Sequence, residues 1–144
     1  MKIFADTSFL VAALVESHPH HPRTKPWIEK LAQKQISLGV SGHSIAELYA
    51  ILTSLPIAPR IPPGTALQMI SENILHNAQI IELKTSDYLK CLHLATERGL
   101  HGGIIYDILI AYCFEKFKGD GLLTFNYKDF IRILSDKKEL VIVP

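Results

Sequence analysis

Lys2-Ile3-Phe4-Ala5-Asp6-Thr7-Ser8-Phe9-Leu10-Val11-Ala12-Ala13-Leu14-Val15 is the stretch that decides the fold. Lys2 to Ala5 has the length and apolar character of a buried strand, and Thr7 to Val15 carries its apolar residues at helical spacing. Asp6 stands at the turn between them. A strand that runs straight into a helix is the first half of a crossover unit, and the remaining chain repeats the pattern. Ile36 to Val40, Gln79 to Leu83, Gly121 to Phe125 and Leu140 to Val143 read as further strands. Thr24 to Lys34, Ser44 to Leu55, Pro63 to Asn77, Thr85 to Arg98, Ile104 to Phe117 and Tyr127 to Leu134 read as helices, several opened by Ser, Thr, Asp, Asn or Pro. Such alternation predicts an α/β protein: a three-layer α/β/α sandwich around a mainly parallel five-stranded sheet, buried on both faces.

Composition agrees. The 144 residues fit one domain, 1–144, and 48% hydrophobic with 20% charged residues argues against both a disordered chain and a membrane protein. The acid Asp6 and the later Glu16 interrupt what a signal peptide would need to be apolar, so a cytoplasmic setting is expected. Cys91 and Cys113 lie in helical apolar patterns with no metal-binding spacing and read as reduced core residues. Fifteen Lys and Arg against fourteen Asp and Glu leave a net charge of +1, which neither demands nor excludes a nucleic-acid partner. Two stretches interrupt the alternation. His18-Pro19-His20-His21-Pro22 is expected to be held extended by its prolines and to be a surface cluster, not a metal site; Pro56 to Gly64 reads as a stiff connector that could wall a substrate.

The chemistry lies in three acids. Asp6 is the only charged residue between Lys2 and Glu16, Glu47 the only one between Lys34 and Arg60, and Asp107 the only one between Arg98 and Glu115. An isolated carboxylate in apolar surroundings loses hydration worth several kcal/mol, so each needs a partner or an opening to water. No basic residue nearby in sequence can serve. Asp6 also lies at the carboxyl end of a strand, where open α/β sheets place their ligand crevice. If the three converge, mutual repulsion raises their pKa values unless a divalent cation gathers them. An all-oxygen donor set suits magnesium or manganese, not zinc, and such a site suits phosphodiester hydrolysis. Thr7, Ser8 and Thr124 are placed to orient ligands or water, or else to cap helices and turns.

Four stretches resemble the PIN-domain nucleases, and most closely the VapC-type ribonucleases of bacterial toxin–antitoxin pairs. Ile3-Phe4-Ala5-Asp6-Thr7-Ser8 looks like the opening strand with the family's first metal-binding Asp, and Ser44-Ile45-Ala46-Glu47-Leu48 like the helix with its Glu. Ile104-Ile105-Tyr106-Asp107-Ile108-Leu109-Ile110-Ala111 looks like the third motif and Leu122-Leu123-Thr124-Phe125-Asn126-Tyr127-Lys128-Asp129-Phe130 like the fourth. The resemblance covers the whole chain in order. It implies a PIN-like fold and an RNA substrate cut to 5′-phosphate and 3′-hydroxyl ends. It further implies a homodimer and a small antitoxin whose tail enters the active-site groove. Asp6, Glu47 and Asp107 would be metal ligands and, with Asn126, catalytic. Many members carry Asp where Asn126 stands, so this site has one formal negative charge fewer, which would weaken a second metal ion and leaves a one-metal mechanism open. Asp129 is expected to cap its turn or pair with a lysine.

RNA binding at a net charge of +1 calls for a local patch, and Arg23, Lys25, Arg60 and Lys128 flank the motifs. Other functions fit less well. A phosphatase of the haloacid dehalogenase type would want a second Asp where Ser8 stands. A non-catalytic PIN-like binding module would have no physical reason to keep clustered like charges. A housekeeping RNA-processing nuclease is the alternative within the enzyme reading.

Overall fold

A computed structural model describes residues 1–144 and contains one sheet. Its strands are β1 (Lys2–Ala5), β2 (Ser37–Ser41), β3 (Ala78–Ile81), β4 (Gly121–Leu123) and β5 (Val141–Ile142). They run wholly parallel in the order β3-β2-β1-β4-β5. Ala5 is paired with Val40 of β2 on one side and Leu123 of β4 on the other. The first three strands build outward from β1 in one direction and the last two in the other. The carboxyl ends of β1 and β4 therefore form the switch point of the sheet, where the connecting segments diverge and where open α/β sheets bind their ligands.

The helices are α1 (Thr7–Leu14), α2 (His21–Ala32), α3 (Gly42–Ser54), α4 (Pro63–Ile70), α5 (Thr85–Glu97), α6 (Ile104–Phe117) and α7 (Tyr127–Ile133). They form the outer layers. Ile3, Ala5, Leu38, Val40 and Leu123 turn to one face of the sheet and pack with Phe9 and Leu10 of α1, Leu48 and Leu52 of α3 and Ala66 and Ile70 of α4. Phe4 and Leu122 turn to the other and pack with α5, α6 and α7. The alternation is that of a strand, but both of its faces are apolar because helices cover both. Seven residues of α6 are buried, from Ile108 to Phe117. Gly39 lets α6 lie close to the sheet, since a Cβ there would sit 2.8 Å from the Phe4 ring and 2.9 Å from the Phe117 ring. Cys91 and Cys113 are free and buried in this layer, as their apolar settings predict.

The structure departs from the sequence reading in three places. The helix expected over Pro63 to Asn77 ends at Ile70 and continues as a π-helical turn, Ser71–Leu75. There the side-chain amides of Asn73 and Asn77 donate to the carbonyls of Met69, Glu72 and Asn73 and compete for the acceptors of regular helical bonds. The His-Pro stretch is not extended. His18 and His20 lie in turns and His21 opens α2, because Pro22 in the first helical turn needs no amide partner and has the φ a helix requires. Ser135–Leu140, which the sequence reading left without an element except for Leu140 at the start of its last strand, forms a 3-10 helix that leads into β5.

Candidate functional site

Asp6 ends β1 and caps α1. It is buried, 3% exposed, and its carboxylate is held by the protein's own donors. Oδ1 accepts from the Phe9 amide at 2.9 Å and the Ser8 hydroxyl at 2.8 Å, and Oδ2 accepts from the Thr124 hydroxyl at 2.7 Å. Those hydroxyls link β1 to the segment after β4. Ser8 Oγ accepts from the Phe125 amide at 2.9 Å, and Thr124 Oγ1 accepts from the Asn126 amide at 2.8 Å. Thr7, the first residue of α1, turns the other way. Its hydroxyl donates to Glu47 Oε2 at 2.8 Å and to Ser44 Oγ at 3.0 Å, so α1 grips α3 one turn inside that helix. Ser41, which caps α3, completes the hydroxyl chain with a 2.9 Å contact to Ser44. The three hydroxyls singled out in the sequence thus hold carboxylates in place, two on Asp6 and one on Glu47.

Asp107 lies in the first turn of α6 and is half-buried. The Asn126 side-chain amide donates to its Oδ2 at 3.3 Å, tying the third and fourth motifs together. Burial pushes the Asp107 carboxyl up to about 7, and the negative charges of Asp129, Asp6 and Glu47 add to the shift, against the Asn126 amide. Asp6 is pushed up to about 6, chiefly by burial, with its amide and hydroxyl donors opposing and Glu47 contributing. Asp87, a buried acid elsewhere, shows the opposite. The Lys84 amide, the Lys116 ammonium at 3.0 Å and the Tyr112 hydroxyl hold its carboxyl down at about 2. Asp87 has a cation. Asp6 and Asp107 have only other carboxylates, Glu47 beside the first and Asp129, Asp6 and Glu47 beside the second.

Electrostatically, then, the fold brings Asp6, Glu47 and Asp107 into one field, with Asp129 as a fourth member. Asp129 neither caps its turn nor meets a lysine; its ion pair is with Arg132, at 3.7 Å. Its charge nevertheless raises Asp107 more than Asp6 or Glu47 does. No three acidic side chains close on one point as a finished set of ligands. The chemistry of the donors still fits a hard divalent cation. Carboxylates, an amide and hydroxyls supply only oxygen as anionic or neutral acceptors, and two of the carboxyls are raised by burial and like charge with no basic residue to relieve them.

Of the basic candidates, Arg23 and Lys25 are exposed on the first turns of α2, Lys128 is exposed on the first turn of α7, and Arg60 is exposed between α3 and α4. Lys128 lies within the fourth motif itself, and Arg23 reaches that motif from α2, its guanidinium carbon standing 5.2 Å from the centre of the Phe125 ring. Sequence reasoning passed over His43. Its Nε2 is buried, 3.5 Å from Glu47 Oε2, and makes no hydrogen bond, while its ring stacks on Tyr106. The helical spacing of His43 and Glu47, four residues apart, was the available signal.

The family model described as PIN domain matches residues 3–134. The chain is 29% identical over 106 residues to Ribonuclease VapC27 of Mycobacterium tuberculosis, covering 74% of this chain and 72% of that protein. Among solved structures it is similar to VapBC2 from Rickettsia felis bound to a DNA fragment from their promoter, with a TM-score of 0.67 at 21% identity over 100% of this chain and 99% of that one. It is also similar to Mycobacterium tuberculosis VapC20, described as a sarcin-ricin loop cleaving toxin. That TM-score is 0.68 at 15% identity, over 88% of this chain and 92% of that one.

Proposed function

The chain belongs to the PIN domain family, and we propose that it is a magnesium- or manganese-dependent ribonuclease, the toxin of a toxin–antitoxin pair. The observation that carries the proposal is that Asp6, Glu47 and Asp107 lie in one electrostatic field near the switch point of the sheet, held by hydroxyls and an amide, with Asp6 and Asp107 pushed up by burial and by the neighbouring carboxylates. The name of the similar VapC27 supports ribonuclease activity, and the similar VapBC2 assembly supports an antitoxin partner.

Asp6, Glu47 and Asp107 would hold the cation, and Asn126 would orient a ligand or a water beside Asp107. When bound, the cation supplies Lewis-acid polarisation of the phosphodiester and an acidified water as nucleophile. The protein's part is to keep the carboxylates ready. Thr124 and Ser8 restrain both oxygens of Asp6, Thr7 restrains Glu47, and Asn126 restrains Asp107, so little reorganisation remains when substrate arrives. In this reading Thr7, Ser8 and Thr124 position substrate through the carboxylates they hold. Hydrolysis would leave 5′-phosphate and 3′-hydroxyl ends. With Asn126 neutral, a second ion would be held more weakly than the first, which leaves a one-metal mechanism open. Arg23, Lys25, Arg60 and Lys128 are the candidates for backbone phosphates. The expected assembly is a homodimer with a small antitoxin, in the cytoplasm; no helix is long and apolar enough to cross a membrane.

The deciding experiment incubates the purified protein with RNA in magnesium, in manganese and in chelator, beside Asp6→Asn, Glu47→Gln and Asp107→Asn. Cleavage that needs the cation and all three acids is expected. Absence of cleavage by the wild type in either cation would favour a non-catalytic binding module. Growth arrest on expression, relieved by a small protein encoded beside it, separates a toxin from a housekeeping nuclease.

A further inference from the structure

Glu47 and Asp107 are carried by different helices, and one side chain stands between the two helix starts. His43 lies in the first turn of α3, one turn before Glu47, and its Nε2 is 3.5 Å from Glu47 Oε2. The face of the same ring lies flat on Tyr106, the residue before Asp107 in the first turn of α6, with centroids 5.0 Å apart and planes 4° from parallel. The edge of His43 thus meets one acid, and its face meets the chain neighbour of the other. The two helix starts are not equally secured. Ser41 caps α3, its hydroxyl accepting from the Ser44 amide at 3.1 Å, and Thr7 holds Glu47 from α1. α6 begins after Gly102 and Gly103, with Gly102 at φ +75°, and no side chain caps it. The Asn126 amide reaches Asp107 at 3.3 Å, the long end of the range for a hydrogen bond. The ring stack ties this weakly secured turn to the helix that carries Glu47.

We propose that His43 is a positioning residue: its ring is the spacer that sets how far Asp107 stands from Glu47, and thereby how tightly the two carboxylates hold a divalent cation. This rests on the reading of the acids as a cation site. Nε2 is buried and makes no hydrogen bond, so the ring is not kept in place by polar pairing, and an unmatched buried nitrogen opposes folding. What the ring supplies is shape. A planar side chain with two rotatable bonds, stacked on a second ring, is a stiff separator. A cation that draws ligands from both helices loses affinity when their separation drifts, and the partners that orient metal ligands are commonly worth about ten- to a hundredfold in affinity. Tyr106 acts through the same contact, as the surface against which the spacer rests.

The test is calorimetric titration of the full-length protein with manganese, without RNA. His43→Ala and Tyr106→Leu are each expected to weaken binding by about ten- to a hundredfold, while His43→Phe and Tyr106→Phe, which keep a flat ring in the stack, stay within about threefold of the wild type. The double variant His43→Ala with Tyr106→Leu should bind about as weakly as the weaker single variant, because both changes break one contact. RNA cleavage by His43→Ala should return toward the wild-type rate as manganese is raised, as it must if the residue only sets cation affinity. Should His43→Ala melt early in chelator, the two Tyr106 variants decide, since that side chain is 50% exposed. Alanine and leucine variants that bind manganese like the wild type would overturn the spacer while leaving the cation site in place. His43→Phe binding as weakly as His43→Ala would overturn it too, by giving the role to the ring nitrogen. A wild type that binds no manganese would remove the spacer and the cation site together.

Discussion

Thr7 Oγ1 donates to Glu47 Oε2 across 2.8 Å, joining the first residue of α1 to the second turn of α3. The bond fixes one oxygen of Glu47 relative to Asp6, because Thr7 follows Asp6 directly in the chain. Thr7→Val keeps the shape of the side chain and removes the donor. Turnover of RNA is expected to drop about ten- to a hundredfold, the usual cost of losing a partner of a metal-binding group, and Thr7→Ser should restore most of it. Cleavage rates of the two variants side by side make the check; a Thr7→Val enzyme as fast as the wild type would show that Glu47 needs no such restraint.

The acids should differ from one another in their effect on stability. Asp107→Asn removes a charge that Asp129, Asp6 and Glu47 all oppose, so cation-free protein is expected to melt about 2–4 °C higher, the shift that about 1 kcal/mol produces in a chain of this size. Asp6→Asn should bring no such gain, since it disturbs the cap on Phe9 and the bonds from Ser8 and Thr124. Both should lose cleavage. Calorimetry in chelator distinguishes the two cases, and equal melting shifts would contradict the division between a cap and a repelled charge.

The raised carboxyls also set a pH dependence. Asp6 and Asp107 would ionise near 3.9 in the unfolded chain, roughly the ordinary value for aspartate, but at about 6 and about 7 in the folded one. Between about pH 4 and about pH 7 the folded state therefore binds more protons, and its stability falls as pH rises through that range. Asp87, lowered to about 2, acts in a separate window: its contribution is present above about pH 4 and is lost as pH falls below it. Denaturant titrations in chelator should show the decline up to neutral pH, and manganese should flatten it by binding the ionised carboxylates. A cation-free protein equally stable at both ends of the range would contradict the clustering.

Asn126 holds Asp107 without carrying charge. Asn126→Ala should slow cleavage less than loss of any of the three acids, whereas Asn126→Asp should tighten manganese binding, measured by calorimetric titration, by adding a fourth formal charge to the motif positions. An Asn126→Ala protein as inactive as Asp6→Asn would mean that orientation by this amide matters as much as the charge of a ligand.

The basic residues are separable by salt. For single-stranded RNA each genuine phosphate contact contributes about 0.7 to the slope of log affinity against log salt, so Ala variants at Arg23, Lys25, Arg60 and Lys128 should lower it by that amount wherever the contact is real. Arg23, which already lies against the site's Phe125, is expected to show the reduction. Four unchanged slopes would place the RNA path elsewhere.

The sequence by itself determined the parallel sheet and singled out three isolated acids as candidates. Short continuous apolar runs such as Ile3-Phe4-Ala5 and longer helical runs such as Ile104 to Phe117 carry their own geometry, and a lone carboxylate such as Asp107 among apolar residues is conspicuous because its desolvation demands a reason. The local departures were illegible for an equally physical cause, since the π turn at Ser71–Leu75 and the turn at His18 and His20 depend on individual side-chain bonds and on proline placement. Only the tertiary structure decided the partners: that Thr7 faces Glu47 and not Asp6, that Asp129 raises Asp107 instead of meeting a lysine, and that His43 and Phe125 bring stacked rings to the two sides of Asp6. Those contacts join residues from different motifs of the chain, and their geometry follows from the order β3-β2-β1-β4-β5, which places the ends of β2 and β4 beside that of β1. No local pattern along the chain encodes that order; the packing of helices on both faces of the sheet does.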